Sequence, residues 1–433
     1  MIILSNKEKN FYEKLEKFLE KRLNEDSKNV DEKVKKIILD VKKNKDRALV
    51  KYTKKFDNFK LNKNNILLSQ KIINQNIKIL NKEIMSSFKL SIKNLRKFHL
   101  KQFPKNFKIA DKNFLTGSFW KPIDSVGLYV PGGKSSYPSS LIMNAVPAIV
   151  AGVKRIVVAT PSTNGITNPY ITSLCNFLKI NEIYQIGGAQ AISAMTYGTE
   201  TIKPVNKIFG PGNSFVASAK KQVFGKVGID LLAGPSEIVV VADKNENPEW
   251  IASDLIAQAE HDEKSQTILI VDNILFAKKI RDLIKKISNN LSKKSIIKKS
   301  IKNHSAIIVT DNLLSANKII NFIAPEHLHL QGKKSEKLFN KIHNAGCIFI
   351  GAYSSEAFGD YIAGTNHVLP TLGTSKFSSG LSVLDFMKRT SHVKVKKNDY
   401  DYMAKHVVNM SNSEGLTGHS LSVKIRQKVE KKI

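Results

Sequence analysis

Short β-branched runs alternate with helical patterns from about residue 125 to 350, and this alternation restricts the fold more than any other feature of the chain. Strands that alternate with helices form parallel sheets with helices on both faces, and eight such strands fit two Rossmann-like units better than one sheet. The predicted strands are 125–130, 154–160, 181–188, 205–212, 237–243, 266–272, 305–311 and 346–352. The predicted helices between them are 169–179, 190–198, 214–224, 248–261, 274–287 and 313–323.

The ends of the chain have a different character. Residues 6 to about 103 are rich in helix formers at helical spacing, and the alternation is lost from about residue 381. We therefore predict an α/β fold of two Rossmann-like parallel-sheet units, with a helical N-terminal region and a C-terminal arm.

The net charge of +32 raises the question of nucleic-acid binding. The excess is uneven, because residues 1–110 carry 29 Lys and Arg against 12 Asp and Glu, whereas residues 121–270 carry 12 of each. Of the 69 basic residues, 62 are lysine and only seven are arginine, the residue that base readout and phosphate clamping favour. We interpret the lysines as solvated helix faces in a chain with A/T-rich codon bias, and predict no specific nucleic-acid partner.

The two cysteines, Cys175 and Cys347, each lie inside an apolar run. This predicts buried thiols in a reducing compartment, with no disulfide framework and no cysteine-based zinc site. No stretch approaches the roughly 20 apolar residues of a membrane span, and the N-terminus lacks the apolar core of a secretory signal. We expect a cytoplasmic protein that has no membrane partner.

Three glycine-containing turns, Tyr129–Gly133, Gly187–Gln190 and Gly210–Ser214, directly follow predicted strands. In open α/β sheets, ligands bind at the carboxyl ends of strands, where glycine lets the backbone approach the ligand. The third turn runs into a helix, whose N-terminal amides can hold an anion such as a pyrophosphate. None of the three matches GxGxxG, so each taken singly is better explained as a tight turn.

Two pairs of polar residues have spacings that suit chemistry. Gln258 and His261 lie three apart on a predicted helix, so they share a face and can ligate one metal ion. Glu326 and His327 are adjacent on a predicted loop, where histidine can act as a general base and the carboxylate can orient water. His329 points the same way as His327 if this run is extended. Helix capping and a surface Glu–His pair explain these residues equally simply on local grounds.

Four more polar residues belong to loops or to the tail. Asp360 and His367 lie in a glycine-bracketed segment after the strand at 346–352, and Glu414 and His419 lie near the C-terminus. A solvated loop and an exposed tail account for them as well as a binding site does.

The joint pattern is more specific than any of its parts. YVPGG, IGGAQAI, KIFGPGN, AGPSE, QAEH, APEHL, GDYIAGTNHVLPT and EGLTGH occur in one order between about residues 120 and 420. Through these motifs the chain resembles the histidinol dehydrogenase family, while its first hundred residues match only in general character. The resemblance implies a zinc-dependent enzyme of histidine biosynthesis that oxidises L-histidinol to L-histidine through bound L-histidinaldehyde, using two NAD.

The resemblance also implies the site residues. Glu326 and His327 correspond to the catalytic residues, and the corresponding zinc ligands, which also contact substrate, are Gln258, His261, Asp360 and His419. Further implied substrate contacts are Ser236, His327, His367 and Glu414, and the implied NAD contacts are Tyr129, Gln190 and Asn213. A nitrogen and oxygen ligand set also admits manganese or cobalt.

The family further implies a domain division and a homodimer with shared active sites. The division is an N-terminal extension (1–25), a first α/β domain with the zinc and catalytic residues (26–128 plus 237–380), an NAD-binding domain (129–236) and an arm that reaches the partner subunit (381–433). The main alternative is a relative that oxidises another amino or hydroxylated substrate. Retention of Glu326, His327, His367 and Glu414 together disfavours it.

Overall fold

Two parallel β-sheets organise the chain in a computed structural model, which describes residues 1–22, 27–78, 80–132, 137–232, 234–397 and 399–428. The strands in these ranges are β1 (Ile2–Ser5), β2 (Phe107–Ala110), β3 (Phe114–Pro122), β4 (Ser125–Tyr129), β5 (Arg155–Ala159), β6 (Glu182–Tyr184), β7 (Lys207–Phe209), β8 (Gly228–Ile229), β9 (Glu237–Ala242), β10 (Gln266–Val271), β11 (Ser305–Val309), β12 (His327–Gln331), β13 (Cys347–Ile350) and β14 (Met387–Val395). The α-helices are α1 (Phe11–Glu20), α2 (Ser27–Asp57), α3 (Gln70–Lys78), α4 (Lys82–Lys101), α5 (Pro138–Ala151), α6 (Pro169–Phe177), α7 (Gly188–Tyr197), α8 (Ser214–Val223), α9 (Pro248–Ala259), α10 (Ile274–Ser288), α11 (Lys294–His304), α12 (Ala316–Ile323), α13 (Lys333–Glu336), α14 (Glu356–Tyr361), α15 (Tyr400–Ser413) and α16 (Thr417–Lys428).

The five-stranded sheet has the order β6-β5-β4-β7-β8, and all its neighbouring strands are parallel. Its strands are apolar on both faces because α5 and α6 cover one face while α7 and α8 cover the other. β4 lies at the centre of the order. The turns that follow β4, β6 and β7 therefore all lie at the carboxyl edge of this sheet.

The six-stranded sheet has the order β1-β11-β10-β9-β12-β13, and its neighbouring strands are again parallel. α9, α10 and α11 pack on one face, and α1 and α12 pack on the other. β9 lies inside the sheet, so its sequence EIVVVA is buried at every position. Residues 230–236 connect the last strand of the five-stranded sheet to β9.

The α/β fold with two parallel-sheet units is confirmed. Each of the eight predicted strands contains an observed strand, namely β4, β5, β6, β7, β9, β10, β11 or β13. Each of the six predicted helices overlaps an observed helix, namely α6, α7, α8, α9, α10 or α12, although α7 begins two residues earlier and α10 ends one residue later than predicted. The prediction missed β12, which pairs with β9 and β13 and is buried throughout. Its sequence HLHLQ lacks β-branched residues, so nothing in the local composition favours a strand.

The N-terminal hundred residues divide between the two sheets. β1 pairs with β11, so the predicted helical extension also supplies an edge strand to the six-stranded sheet. α2 packs on α7 and α8, α3 on α6, and α4 on α5, so these helices lie against the five-stranded sheet, while α4 also contacts the segment around Ile362. The apolar face of α2, which includes Val34, Val41 and Leu49, enters the same core as α7. The wider domain division stays a prediction.

The C-terminal residues leave the two sheets. β14 pairs antiparallel with β3, which also pairs with β2, and the chain then forms α15 and α16, which pack on each other. This helical pair has few buried side chains and a large apolar surface. Its exposed apolar residues are Tyr402, Val407, Met410, Leu416, Leu421 and Ile425.

The burial of the two cysteines agrees with the sequence prediction for Cys175 but only in part for Cys347. Cys175 is buried, Cys347 is half-buried, both are free, and burial raises the pKa of each thiol. In the ranges that the structure describes, no helix is long and apolar enough to cross a membrane.

Asp57, the last residue of α2, gives stability a pH dependence. One of its carboxylate oxygens is buried without a hydrogen-bond partner among the described residues, and burial raises its pKa to about 6 from 3.8. The folded protein therefore binds this proton more tightly than the unfolded chain. This contribution to stability is fully present below about pH 4 and is lost as the pH rises through about 6.

We expect Asp57→Asn to stabilise the protein at pH 8 and to leave it unchanged at pH 4, because the amide is neutral at both. The expected increase in the free energy of unfolding at pH 8 is about 1 kcal/mol. This is less than the pKa shift of Asp57 alone implies, because solvent screens the charge of a half-buried group. Urea unfolding of parent and variant at the two pH values measures it. An equal effect at pH 4 and pH 8 would contradict the assignment to Asp57 ionisation.

Candidate active site

Glu326 and His327 lie where α12 is followed by β12. α12 ends at Ile323, and Ala324, with a left-handed φ of 54°, redirects the chain toward the strand. His327 is the first residue of β12, so the pair is buried at 6% and 4% exposure and is not the exposed loop that sequence suggested. His329 faces the same side as His327, as expected for an extended run, and both rings lie near Phe349.

The hydrogen bonding of His327 identifies its basic atom. Nδ1 lies 3.0 Å from the backbone carbonyl oxygen of Glu237. A carbonyl only accepts, so Nδ1 carries a hydrogen and donates it. In the neutral ring the lone pair is therefore on Nε2, which is buried and has no hydrogen-bond partner among the described residues. Asp360 Oδ1 lies 3.7 Å from this Nε2, so the free lone pair faces the side of the cluster that holds Asp360.

Glu326 is fixed by the same residue of β9. Its Oε2 accepts a hydrogen bond of 2.8 Å from the backbone N–H of Glu237 and lies 3.6 Å from His327 Nδ1. Burial raises the pKa of Glu326 to about 7, although the charge on His327 opposes the shift. At neutral pH this carboxylate is therefore a stronger base than an ordinary glutamate.

α9 carries Gln258 into the same region. The helix ends at Ala259, so His261 follows it in a turn, whereas the sequence suggested that both residues lie on the helix. The backbone N–H of His261 donates to the Gln258 carbonyl at 3.3 Å, which keeps the two residues together. Gln258 is buried, while His261 is open to solvent on one side. Protein atoms on its other sides lower the pKa of His261, and the charge on Asp360 opposes this shift.

Asp360 and His367 come to the cluster from the segment after β13. Asp360 lies on α14, and its backbone oxygen is 3.1 Å from Nδ1 of His367. Two contacts with the first part of the chain hold this segment: Asn94 donates to the Ile362 carbonyl at 2.9 Å, and Asn366 donates to the Met143 carbonyl at 2.7 Å. The region predicted as a loop is thus anchored against α4 and α5.

Buried carboxylates outnumber cationic groups around His327. Burial raises the pKa of Glu356 well above its usual range. Burial alone would lower the pKa of His327, but the negative charge of Glu326 and Asp360 outweighs it and raises the value well above 6.5. The contact with His327 lowers the pKa of Asp360 against the effect of burial. The cluster therefore has a negative potential that suits a cation.

Ser236 and Glu237 connect this cluster to the N-terminus. Ser236 directly precedes β9, and its carbonyl accepts from the Gln266 N–H at 2.9 Å. The buried side chain of Glu237 forms an ion pair with Arg22 and accepts a hydrogen bond of 2.9 Å from the Leu372 N–H. Arg22 thus reaches the residue that orients Glu326 and His327.

The three glycine turns meet at the carboxyl edge of the five-stranded sheet. The hydroxyl of Tyr129 accepts from the Gly188 N–H at 3.1 Å, and Gln190, one helical turn into α7, is 1% exposed with an unpaired Oε1 among the described atoms. Asn213 caps α8 by accepting from two backbone N–H groups. Gly210 packs so closely on Tyr129 that a Cβ would overlap its carbonyl oxygen. Gly133 of the first turn lies outside the described residues.

Glu414 and His419 stay apart from the cluster within one chain. Glu414 ends α15 and His419 lies in the first turn of α16. Both side chains are exposed, and the backbone hydrogen bonds of both residues stay within the arm. Within the described ranges, no three or more His, Cys, Asp or Glu side chains are grouped to hold a metal ion.

Comparison with known proteins decides the family. The family model described as histidinol dehydrogenase matches residues 20–427. The chain belongs to the histidinol dehydrogenase family. It is 46% identical to the histidinol dehydrogenase of Pelagibacter ubique (strain HTCC1062), over 98% of each chain, and 43% identical to that of Brucella suis biovar 1 (strain 1330), over 92% of this chain and 93% of the other. The crystal structure of histidinol dehydrogenase from Elizabethkingia anophelis superimposes with a TM-score of 0.93 at 35% identity, covering 100% of this chain and 99% of that one.

In this histidinol dehydrogenase family member, sequence reasoning missed several residues of the cluster. Glu356 lies four residues before Asp360, so the two share a face of α14, a spacing that was available in the sequence. No sequence pattern indicated Glu237 or Arg22. Glu237 orients His327 through its backbone carbonyl, and Arg22 binds the Glu237 side chain although the two residues are 215 positions apart in the chain. Family membership makes the chain a dehydrogenase.

The contact between Gly210 and Tyr129 gives a stability prediction. Gly210 has φ of +114°, and alanine there would also overlap the Tyr129 carbonyl, so we expect Gly210→Ala to cost about 3 kcal/mol or more. Gly225 is the matched control, since its φ is +95° but a Cβ meets no described atom within 4 Å. Gly225→Ala should cost only the backbone strain of about 1–2 kcal/mol. Urea unfolding compares them, and equal losses would show that the Tyr129 contact is unimportant.

Proposed function

We propose that this chain oxidises L-histidinol to L-histidine in two successive hydride transfers. The balanced reaction is L-histidinol + 2 NAD⁺ + H₂O → L-histidine + 2 NADH + 3 H⁺. Membership of the histidinol dehydrogenase family supports the substrate. The observation that carries the chemistry is the unpartnered, buried Nε2 of His327, held in the reactive tautomer by the Glu237 carbonyl.

His327 acts as the general base in both oxidation steps from its neutral form. Because the surrounding carboxylates favour the protonated ring, a cation bound among them would offset their charge and favour loss of this proton. In the first step, Nε2 takes the proton of the substrate hydroxyl while a hydride passes to NAD⁺ from the carbon that bears this hydroxyl. The aldehyde product remains bound. Nε2 releases this proton to solvent before the second step, and then takes a proton from the hydrated aldehyde as the second hydride leaves for the second NAD⁺. The Nδ1–H bond to Glu237 keeps the ring oriented throughout.

Glu326 activates the water that hydrates the aldehyde. Its pKa of about 7 lets the carboxylate accept a proton from water near neutral pH. Its other support is the hydrogen bond to the Glu237 N–H, which fixes its position beside His327. Burial of Glu326 and His327 also limits the contact of bulk water with the pair.

The remaining polar residues bind the substrate. Ser236 and His367 flank the cluster, and burial lowers the pKa of His367, which favours the neutral ring. Nδ1 of His367 donates to the Asp360 carbonyl, so Nε2 is left to accept a hydrogen bond. Glu414, on the arm, is suited to the ammonium group of the substrate.

The residues fit a zinc ion. Gln258, His261 and Asp360 offer one amide oxygen, one neutral imidazole and one carboxylate beside an excess of buried negative charge, and His419 would supply a second imidazole. A bound zinc would hold the substrate's nitrogen atoms and so position one carbon for both steps. The set combines a glutamine with a residue of the arm, which explains why one chain shows no group of three acidic, histidine or cysteine ligands.

NAD⁺ binds at the carboxyl edge of the five-stranded sheet. Tyr129 and Gln190 line the first two turns, and Asn213 begins α8, whose N-terminus favours a pyrophosphate. The unpaired Oε1 of Gln190 offers a buried acceptor for a cofactor N–H or hydroxyl.

The protein functions as a homodimer in which each arm completes the partner's site. The cluster lacks Glu414 and His419 from its own chain, and His261 is open to solvent on one side. The arm carries an exposed apolar surface that a second copy of the chain can bury.

The proposed reaction is tested by NADH formation from L-histidinol and NAD⁺, before and after chelation and zinc addition. We expect two NADH per L-histidinol, loss of turnover on chelation and recovery with zinc. Recovery with manganese or cobalt but not zinc would change the metal assignment. The absence of turnover in a folded, zinc-loaded dimer would overturn the substrate assignment, and other amino alcohols would then be screened.

Catalytic variants provide the control for this assay. His327→Ala and Glu326→Ala should each lower turnover by about 10²–10⁴-fold without loss of folding. His343→Ala changes an exposed histidine outside the cluster and should leave turnover unchanged. A variant of His327 that keeps more than a tenth of the parent rate would remove it as the base.

Shared sites predict recovery of activity when two inactive variants are mixed. His261→Ala removes a ligand from the subunit core and His419→Ala removes one from the arm, so a mixed dimer has one site with both defects and one intact site. Random subunit exchange should restore about a quarter of the parent activity. His261→Ala mixed with Asp360→Ala, which are both core variants, should restore none. If the first mixture also stays inactive, each site is built from one chain.

A further inference from the structure

Glu356 lies against Gln258 at the centre of the cluster. It is the first residue of α14 and is 1% exposed. Both of its carboxylate oxygens lie 2.9 Å from the same terminal atom of the Gln258 side chain. The other terminal atom of Gln258 lies 2.9 Å from the backbone nitrogen of Glu237. The amide is therefore held between an acceptor on one side and a donor on the other.

Only one orientation of the amide satisfies both neighbours. A carboxylate accepts hydrogen bonds, and the Glu237 N–H donates one. Nε2 of Gln258 must therefore face Glu356 and donate to it, and Oε1 must face Glu237 and accept. The opposite orientation would place oxygen against oxygen and N–H against N–H, with both groups buried.

Burying Glu356 beside other carboxylates is unfavourable unless Glu356 orients the Gln258 amide and helps to attract a cation. Its neighbours Glu326, Asp360 and Asp254 carry the same sign of charge. A glutamine at position 356 would avoid that repulsion, yet its own amide could turn either way and would leave Gln258 free to turn with it. The carboxyl group of Glu356 removes this freedom, because both of its oxygens face one atom of Gln258 and at most one of them can carry a proton. At least one oxygen must therefore accept a hydrogen bond from that atom.

We propose that Glu356 is a positioning residue that makes Gln258 present its amide oxygen, and not its nitrogen, to the metal. The amide oxygen is the atom that can bind zinc, and groups that orient a ligand tune metal affinity. α14 then has two roles, because Asp360, one turn later, is itself a proposed ligand. The inference rests on the proposed zinc site.

The test is the zinc affinity of the full-length, zinc-free protein, measured by competition with a chromophoric chelator. We expect Glu356→Gln to weaken zinc binding by about 10- to 100-fold, with an unchanged circular dichroism spectrum. Asp254→Asn is the matched control for charge, since Asp254 is a buried carboxylate of the same cluster that bonds to Gln331 and not to Gln258. It should weaken zinc binding by less than Glu356→Gln does.

An exchange of the two side chains tests orientation directly. In the double variant Gln258→Glu with Glu356→Gln, the total charge is unchanged, and an oxygen faces the site whichever way residue 258 turns. We expect its zinc affinity to exceed that of Glu356→Gln alone. If the single variant folds poorly, the zinc affinity of the double variant is compared with that of the parent protein, and a similar affinity supports the inference.

Three results would overturn the inference. They are a zinc affinity of Glu356→Gln within twofold of the parent, an equal loss in Asp254→Asn, and a double variant that binds no better than Glu356→Gln. If the parent itself binds no zinc, the proposed metal site fails as well, so the two failures are distinguishable.

Discussion

The backbone of one residue, Glu237, orients the proposed catalytic groups. Its carbonyl accepts the Nδ1–H of His327, and its N–H donates to Glu326 and faces the amide oxygen of Gln258. These backbone groups are available because Glu237 is the first residue of β9, where the strand ladder has only begun. Its side chain is held in turn by Arg22. Backbone groups of a central strand move little, so the base and the carboxylate beside it are rigidly placed.

The proposed cofactor site and the proposed catalytic site use opposite edges of their parallel sheets. In the five-stranded sheet, the proposed NAD contacts follow the carboxyl ends of β4, β6 and β7. In the six-stranded sheet, Glu326 and His327 stand at the amino end of β12, beside the amino end of β9. The rule that ligands bind at carboxyl ends therefore describes only the proposed cofactor half. Residues 230–236 connect the two edges, and α4 and α5 anchor the segment around Asp360 and His367 near them.

Sequence predicted the parts of the fold that depend on composition and missed those that depend on tertiary packing. β9 and β10 were predictable because they are buried on both faces and rich in valine and isoleucine. β12 was not, because its alternating histidine and leucine residues form a strand only between β9 and β13. Local spacing brought Gln258 and His261 together, but their link to Asp360 and His367 came from family resemblance. The roles of Glu237 and Arg22 needed three-dimensional contacts, since a backbone carbonyl leaves no mark in a sequence.

The pairing of β1 with β11 has a consequence for the order in which the protein is made. The strands of the five-stranded sheet come from a continuous stretch, residues 125–229, so they can pair while the rest of the chain is still being synthesised. Val383 and Phe386 complete the core on one of its faces later. The six-stranded sheet cannot, because β1 must wait for Ser305–Val309, and β12 and β13 come later still. Strands that are so far apart in sequence pair slowly, and the edges of the strands already synthesised stay unpaired until they do. The proposed catalytic pair is therefore completed late on the ribosome, after the strands of its proposed cofactor platform have been synthesised.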